Sequence, residues 1–126
     1  MIRPNSCLVA LACAVTVGAA SAAQPTPAAT CEIDHLLSYL EGSGCRFFRN
    51  GSWYSAAEAR KHLQGKYDYL LRKGMISTAE SFVELGATGS SMSGKPYQVR
   101  CAGDAAPVPS STWLSAELQR YRKGAK

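Results

Sequence analysis

The sequence predicts a small α+β domain, mainly helical, with about four helices, a short antiparallel sheet and one stapling disulfide. Three observations carry this reading. Apolar residues recur at helical spacing in four stretches, two short runs alternate with a period of two, and a cysteine stands at an end of each run.

In chain order, Thr30 is a good N-cap, and Glu32 and Asp34 follow it in the turn where the helix dipole favours acids. Ile33, Leu36, Leu37 and Leu40 then form one stripe that ends at Gly42. Phe47 and Phe48 read as a strand closed by Arg49, Asn50 and Gly51, since Asn-Gly favours a tight hairpin turn. Arg49 is within reach of Glu58 and Trp53. Ser55 with Glu58 makes a capping box, opening a helix that buries Ala56, Ala59, Leu63, Tyr67 and Leu70 and stops at Gly74. Glu58, His62, Lys66 and Tyr69 share its neighbouring face. Ser77 with Glu80 repeats the device for a helix burying Ala79, Phe82 and Val83 before Gly86. Tyr97, Val99 and Cys101 alternate with Gln98 and Arg100 as a second strand. A last helix starts near Thr112 and carries Trp113, Leu114, Leu118 and Tyr121. Phe47, Phe48, Trp53, Phe82 and Trp113 are expected in the core. His35 has no evident partner.

Arg3, an uncharged apolar run from Cys7 to Ala19 and small residues from Ala20 to Ala23 make the three-part pattern of a secretory signal peptide. The run is too short for a membrane anchor, and a lipoprotein reading at Cys13 fits less well. The expected organisation is a signal peptide over 1–22, a disordered tether over 23–30, one domain over 31–122 and a basic tail over 123–126. Export to the periplasm follows. Loss of Arg3 with the leader takes the net charge from +5 to +4, too small and scattered an excess for nucleic acid. The expected partner is an envelope protein or a cell-wall component, and the expected state is a monomer or weak dimer.

Export places the cysteines in an oxidising compartment. Cys7 and Cys13 leave with the leader, so two of Cys31, Cys45 and Cys101 should pair. A helix from Cys31 to Glu41 spans about 16 Å, whereas the residues before Cys45 reach back only about 10 Å. Cys45 with Cys101 is therefore the expected bridge, joining two antiparallel strands. Cys31 is left as a half-buried thiol or as the site of an intermolecular disulfide. No C-x-x-C pair and only two histidines are present, so neither a metal nor a cofactor is expected.

Gly89 to Cys101, GSSMSGKPYQVRC, is the stretch richest in chemistry. Gly89, Gly94 and Lys95 have phosphate-loop spacing, but Pro96 stands where such a loop needs Ser or Thr and the start of a helix. Nucleotide binding is excluded on that ground. Ser91, Ser93, Lys95 and Tyr97 instead suit a polar binding loop, with Arg49, Asn50, His62 and Lys66 as further candidates. The first functional reading is a non-enzymatic binding module, of inhibitor or immunity type, that acts on an envelope enzyme or cell-wall component through the 89–97 loop. The alternative is a small hydrolase in which Glu58 orients His62 and a loop serine is the nucleophile.

Cys45, Phe47, Arg49-Asn50-Gly51, Glu58-Ala59, His62-Leu63, Lys66-Tyr67, Ala79 to Phe82, Ser90 to Tyr97, Cys101, Trp113-Leu114 and Tyr121-Arg122 together resemble a bacterial family of small exported proteins catalogued as a domain of unknown function. The resemblance covers about Cys31 to Arg122. It implies a periplasmic location and assigns no reaction. Ser93 to Tyr97 also looks like the Ser-Gly-x-x-Tyr loop with which periplasmic lysozyme inhibitors enter an enzyme's cleft. Those inhibitors are β-barrels, so the likeness implies convergence on a loop.

Overall fold

The computed structural model describes residues 24–124; the signal peptide expected over 1–22 and the last two residues of the basic tail lie outside them. The elements are α1 (Pro27–Glu41), β1 (Arg46–Arg49), β2 (Ser52–Tyr54), α2 (Ala56–Arg72), α3 (Ala79–Gly86), β3 (Gln98–Arg100), β4 (Val108–Pro109) and α4 (Ser110–Gly124). The four strands form one antiparallel sheet in the order β2-β1-β3-β4. This is the expected α+β domain, with four strands where the sequence predicts two or three. At two residues, β4 is too short to show an alternation.

Two helix starts differ from expectation. Thr26, not Thr30, caps α1, accepting the Ala29 N–H at 3.1 Å, and Pro27 takes the first helical position, where its fixed φ is an advantage. Residues 27–30 thus belong to the helix rather than to a tether. α3 is capped by Thr78 rather than Ser77: Thr78 Oγ1 accepts the Ser81 N–H, and Ser81 Oγ accepts the Thr78 N–H, each at 3.0 Å. The shift by one residue puts serine at the third helical position and frees Glu80, which pairs with Arg122 at 2.7 Å. The Ser55 to Glu58 capping box of α2 forms as predicted.

Asn50 and Gly51 connect β1 to β2 with φ of 50° and 87°, both in the left-handed region that a type I′ hairpin requires. β1 pairs with β3 so that Phe47 meets Val99 and Arg46 meets Arg100. The next step brings Cys45 opposite Cys101, and the two are bonded. Cys31 lies half-buried in α1.

Phe47 and Val99 face α2 and α4, and α1 and α3 pack onto those helices. Ile33, Leu36, Leu37, Phe82, Leu114 and Leu118 fill the centre with Ile76, a buried residue of the α2–α3 link. Phe48 and Trp53 are the exceptions among the expected core aromatics. Register places them opposite each other on the outer face of the sheet, where Phe48 is partly buried and Trp53 stays 38% exposed. Ion pairs tie α4 down: Arg122 bridges Glu32 and Glu80, and His35 Nε2 lies 2.6 Å from the buried Glu117 carboxylate, with Tyr121 stacked on its ring.

Two glycines behave oppositely. A Cβ on Gly89 would stand 2.9 Å from the Lys95 carbonyl oxygen, whereas one on Gly65, in mid-α2, would meet nothing within 4 Å. Gly89→Ala should lower the unfolding free energy by about 1–3 kcal/mol, because backbone must move. Gly65→Ala should raise it by about 0.5–1 kcal/mol, as expected for an unobstructed helical glycine. Urea denaturation of the two variants reads both.

Candidate functional site: a basic cleft beside the 89–97 loop

His62 and Lys66 lie one turn apart on α2 and face the residue that immediately precedes β3. That residue is Tyr97, whose side chain is turned inward and only 8% exposed. The Lys66 ammonium donates to Tyr97 Oη at 3.0 Å and to the Gly89 carbonyl at 2.8 Å, and lies 4.9 Å from the Tyr97 ring centroid. An ammonium has no acceptor, so the phenol oxygen accepts from Lys66 and its own proton is available to His62 Nε2, at 3.2 Å. That arrangement needs a neutral imidazole with its proton on Nδ1.

Burial, and then the charges of Arg49 and Lys66, hold His62 below its ordinary value of 6.5, in keeping with a neutral ring. The unfolded chain therefore takes up this proton first. The His62 contribution to stability is level above about pH 6.5 and negative below it, as far as the folded-state pKa. Wild type should lose stability relative to His62→Gln between about pH 7.5 and 5.5, in chemical denaturation at a series of pH values. A wild-type stability that stays level with, or gains on, that of His62→Gln as the pH falls would contradict the assignment.

The loop before Tyr97 is held by its own backbone. Buried Ser90 accepts the N–H groups of Met92 and Ser93 on its hydroxyl, and its own N–H donates to the Lys95 carbonyl at 3.0 Å. Gly94 takes φ +73° to close the turn. Ser93 Oγ donates to Asn50 Oδ1 at 2.8 Å, tying the loop to the β1–β2 turn as Lys66 ties it to α2. Lys95 is exposed, and Met92, 89% exposed, stands furthest into solvent.

These elements enclose an open cleft of about 450 Å³. Arg49, Lys61, His62 and Lys66 supply its nitrogens, and Asn50, Gly65, Ser90, Ser91, Met92 and Tyr97 complete the lining. No carboxylate lines it. A second, apolar pocket of about 50 Å³ adjoins it, lined by Leu40, Phe47, Leu63, Ala87 and Leu114 among others, and shares Arg49, His62 and Tyr97 with the cleft.

Six of the eight residues predicted from sequence therefore meet in one place: Arg49, Asn50, His62, Lys66, Ser91 and Tyr97. Ser93 supports Asn50 from outside, and Lys95 does not line the cleft. Arg49 lies over the ring of Tyr54, 5.0 Å from its centroid, rather than on Glu58 or Trp53. Glu58 accepts from Ser55 and so is occupied at the helix start. The hydroxyl that meets His62 is the Tyr97 phenol. Lys61 and Gly65 were not predicted, whereas Ser90 and Met92 belong to the 89–97 loop that was. Gly65 carried the readable signal, since a glycine in mid-helix with nothing packed against it keeps a face open. Among the described residues no group of histidine, cysteine and acidic side chains could hold a metal ion.

Residues 27–122 match a protein-family model described as a family of unknown function, DUF5329. The chain belongs to this family. No curated protein and no solved structure matches it. The DUF5329 span contains the whole cleft and the Cys45–Cys101 bridge. No helix among the described residues is long and apolar enough to cross a membrane.

Proposed function

We propose that this DUF5329 domain is an exported, periplasmic binding module, and that its cleft receives an anionic group presented by an envelope protein or a cell-wall component. The observation that carries the reading is the composition of the cleft: the cations Arg49, Lys61 and Lys66, the imidazole of His62 and no carboxylate around about 450 Å³ of open space. Such a lining attracts an anion and has no internal anion to compete with it. The reading is one of receiving rather than inserting. Tyr97, which ends the Ser-Gly-x-x-Tyr pattern of the inhibitory loops, is internal, and Met92 and Lys95 are among the loop's exposed side chains. A hydrolase needs a serine beside its base; here the Ser93 hydroxyl serves Asn50, and Ser90 serves its own loop.

Gly65→Leu gives a clean test, because it fills the cleft without altering charge and suits the helix. Mature protein, Gly65→Leu and Arg49→Gln with Lys61→Gln are used as baits for envelope extract, read by mass spectrometry. A partner held by wild type and lost by both variants is the expected result. Proteins held equally by all three baits would refute the reading.

A further inference from the structure

The cleft and the apolar pocket share a wall, and together they describe a ligand more closely than charge alone does. Resting on the reading above, we propose that the group received is a terminal carboxylate borne next to a small apolar side chain, as at the C-terminus of a peptide ending in alanine or valine.

The wall residues are Arg49, His62 and Tyr97. Arg49 brings a planar fork of donors that matches a carboxylate in shape as well as charge. Lys66 uses two of its three donors on Gly89 and Tyr97 and keeps one, and Lys61 adds a third cation. Asn50 accepts from Ser93 on Oδ1, which leaves its NH₂ group to donate to a peptide carbonyl.

On the other side of the wall the lining is mainly aliphatic and aromatic, with Glu58, held at the helix start by Ser55, and Ser110 as its further polar members. Its volume is about 50 Å³, against about 150 Å³ for a dry cavity that accepts benzene. That admits a methyl or isopropyl group and refuses an aromatic ring. Inorganic phosphate or a sugar phosphate would satisfy the cations and leave the apolar pocket unused. A long acyl chain would not fit it. A carboxylate with a small side chain on the adjacent carbon engages both compartments at once.

The test is calorimetric titration of the mature protein with N-acetyl-Ala-Ala as acid and as amide, N-acetyl-Ala-Phe, sodium acetate and inorganic phosphate. The dipeptide is used in its L and D forms, which separates a protein C-terminus from a cell-wall stem peptide. One enantiomer of the acid should bind, with the amide and the Phe peptide weaker by about tenfold or more, since a charge-assisted contact or a pocket fit is lost in each. Ala59→Leu, which fills the apolar pocket, should remove the preference for the dipeptide over acetate, with folding checked by circular dichroism. Acid and amide binding alike, or the Phe peptide binding as well as Ala, would overturn the proposal. If phosphate and acetate bind as tightly as the dipeptide, the inference fails while the basic cleft stands as a binding site. Binding by none of the probes, with no partner lost by the Gly65→Leu bait, fails both.

Discussion

Replacing Cys45 and Cys101 together by alanine is expected to lower the unfolding free energy by about 3–4 kcal/mol. The bridge spans 56 residues of sequence and carries α2, α3 and the 89–97 loop between its ends. Without it the unfolded chain recovers the freedom of a long loop, a large fraction of the total stability of so small a domain. The bridge also fixes register, since it sits one step beyond the Arg46–Arg100 pair. Urea denaturation of the double variant measures the loss. A change below about 1 kcal/mol would mean that the sheet and helices hold the domain without the bridge.

Lys66→Met should have the second largest effect, about 2 kcal/mol, because it removes two hydrogen bonds from a charged donor and leaves the Gly89 carbonyl and the Tyr97 phenol short of a partner. The damage should be local. Amide exchange should quicken at Ser90, Gly94 and Tyr97, whose N–H groups bond to Lys95, Ser90 and Thr88. Lys95→Ala should leave both stability and exchange nearly unchanged, since its exposed side chain supports none of these bonds. Equal effects of the two substitutions would refute the role given to Lys66.

The contrast between Lys66 and Lys95 shows where sequence reading stops. Both lysines are candidates by type, and the sequence pattern separates them only once α2 and the loop are placed together. The stripes of α1 and α2 were legible because the period of 3.6 marks every buried position, and Asn50-Gly51 because a two-residue turn has few alternatives. Cap choice was not legible where two candidates stood near each other. Thr26 prevails over Thr30 because Pro27 can start a helix and Ala29 is drawn into the core; Thr78 prevails over Ser77 because Ser81 completes its box.

Long-range polar partners left no local trace. His35 meets Glu117 across 82 residues, and Ser93 meets Asn50 across 43. Neither pair has a spacing that a pattern could reveal. The basic character of the cleft was only half visible for a similar reason. His62 and Lys66 share a helical face, but Arg49 and Asn50 arrive by the hairpin, and Tyr97 by the loop.

The most direct test of the central claim, that the basic cleft is the binding surface, is amide chemical-shift mapping. Isotope-labelled protein of residues 24–126 is titrated with the envelope fraction captured under the proposed reading, in parallel with Gly65→Leu. The account predicts shifts confined to residues 49–51, 61–66 and 89–97 in the native protein and absent from the variant. Shifts centred on the outer faces of α1 and α4, or persisting unchanged with the cleft filled, would contradict it.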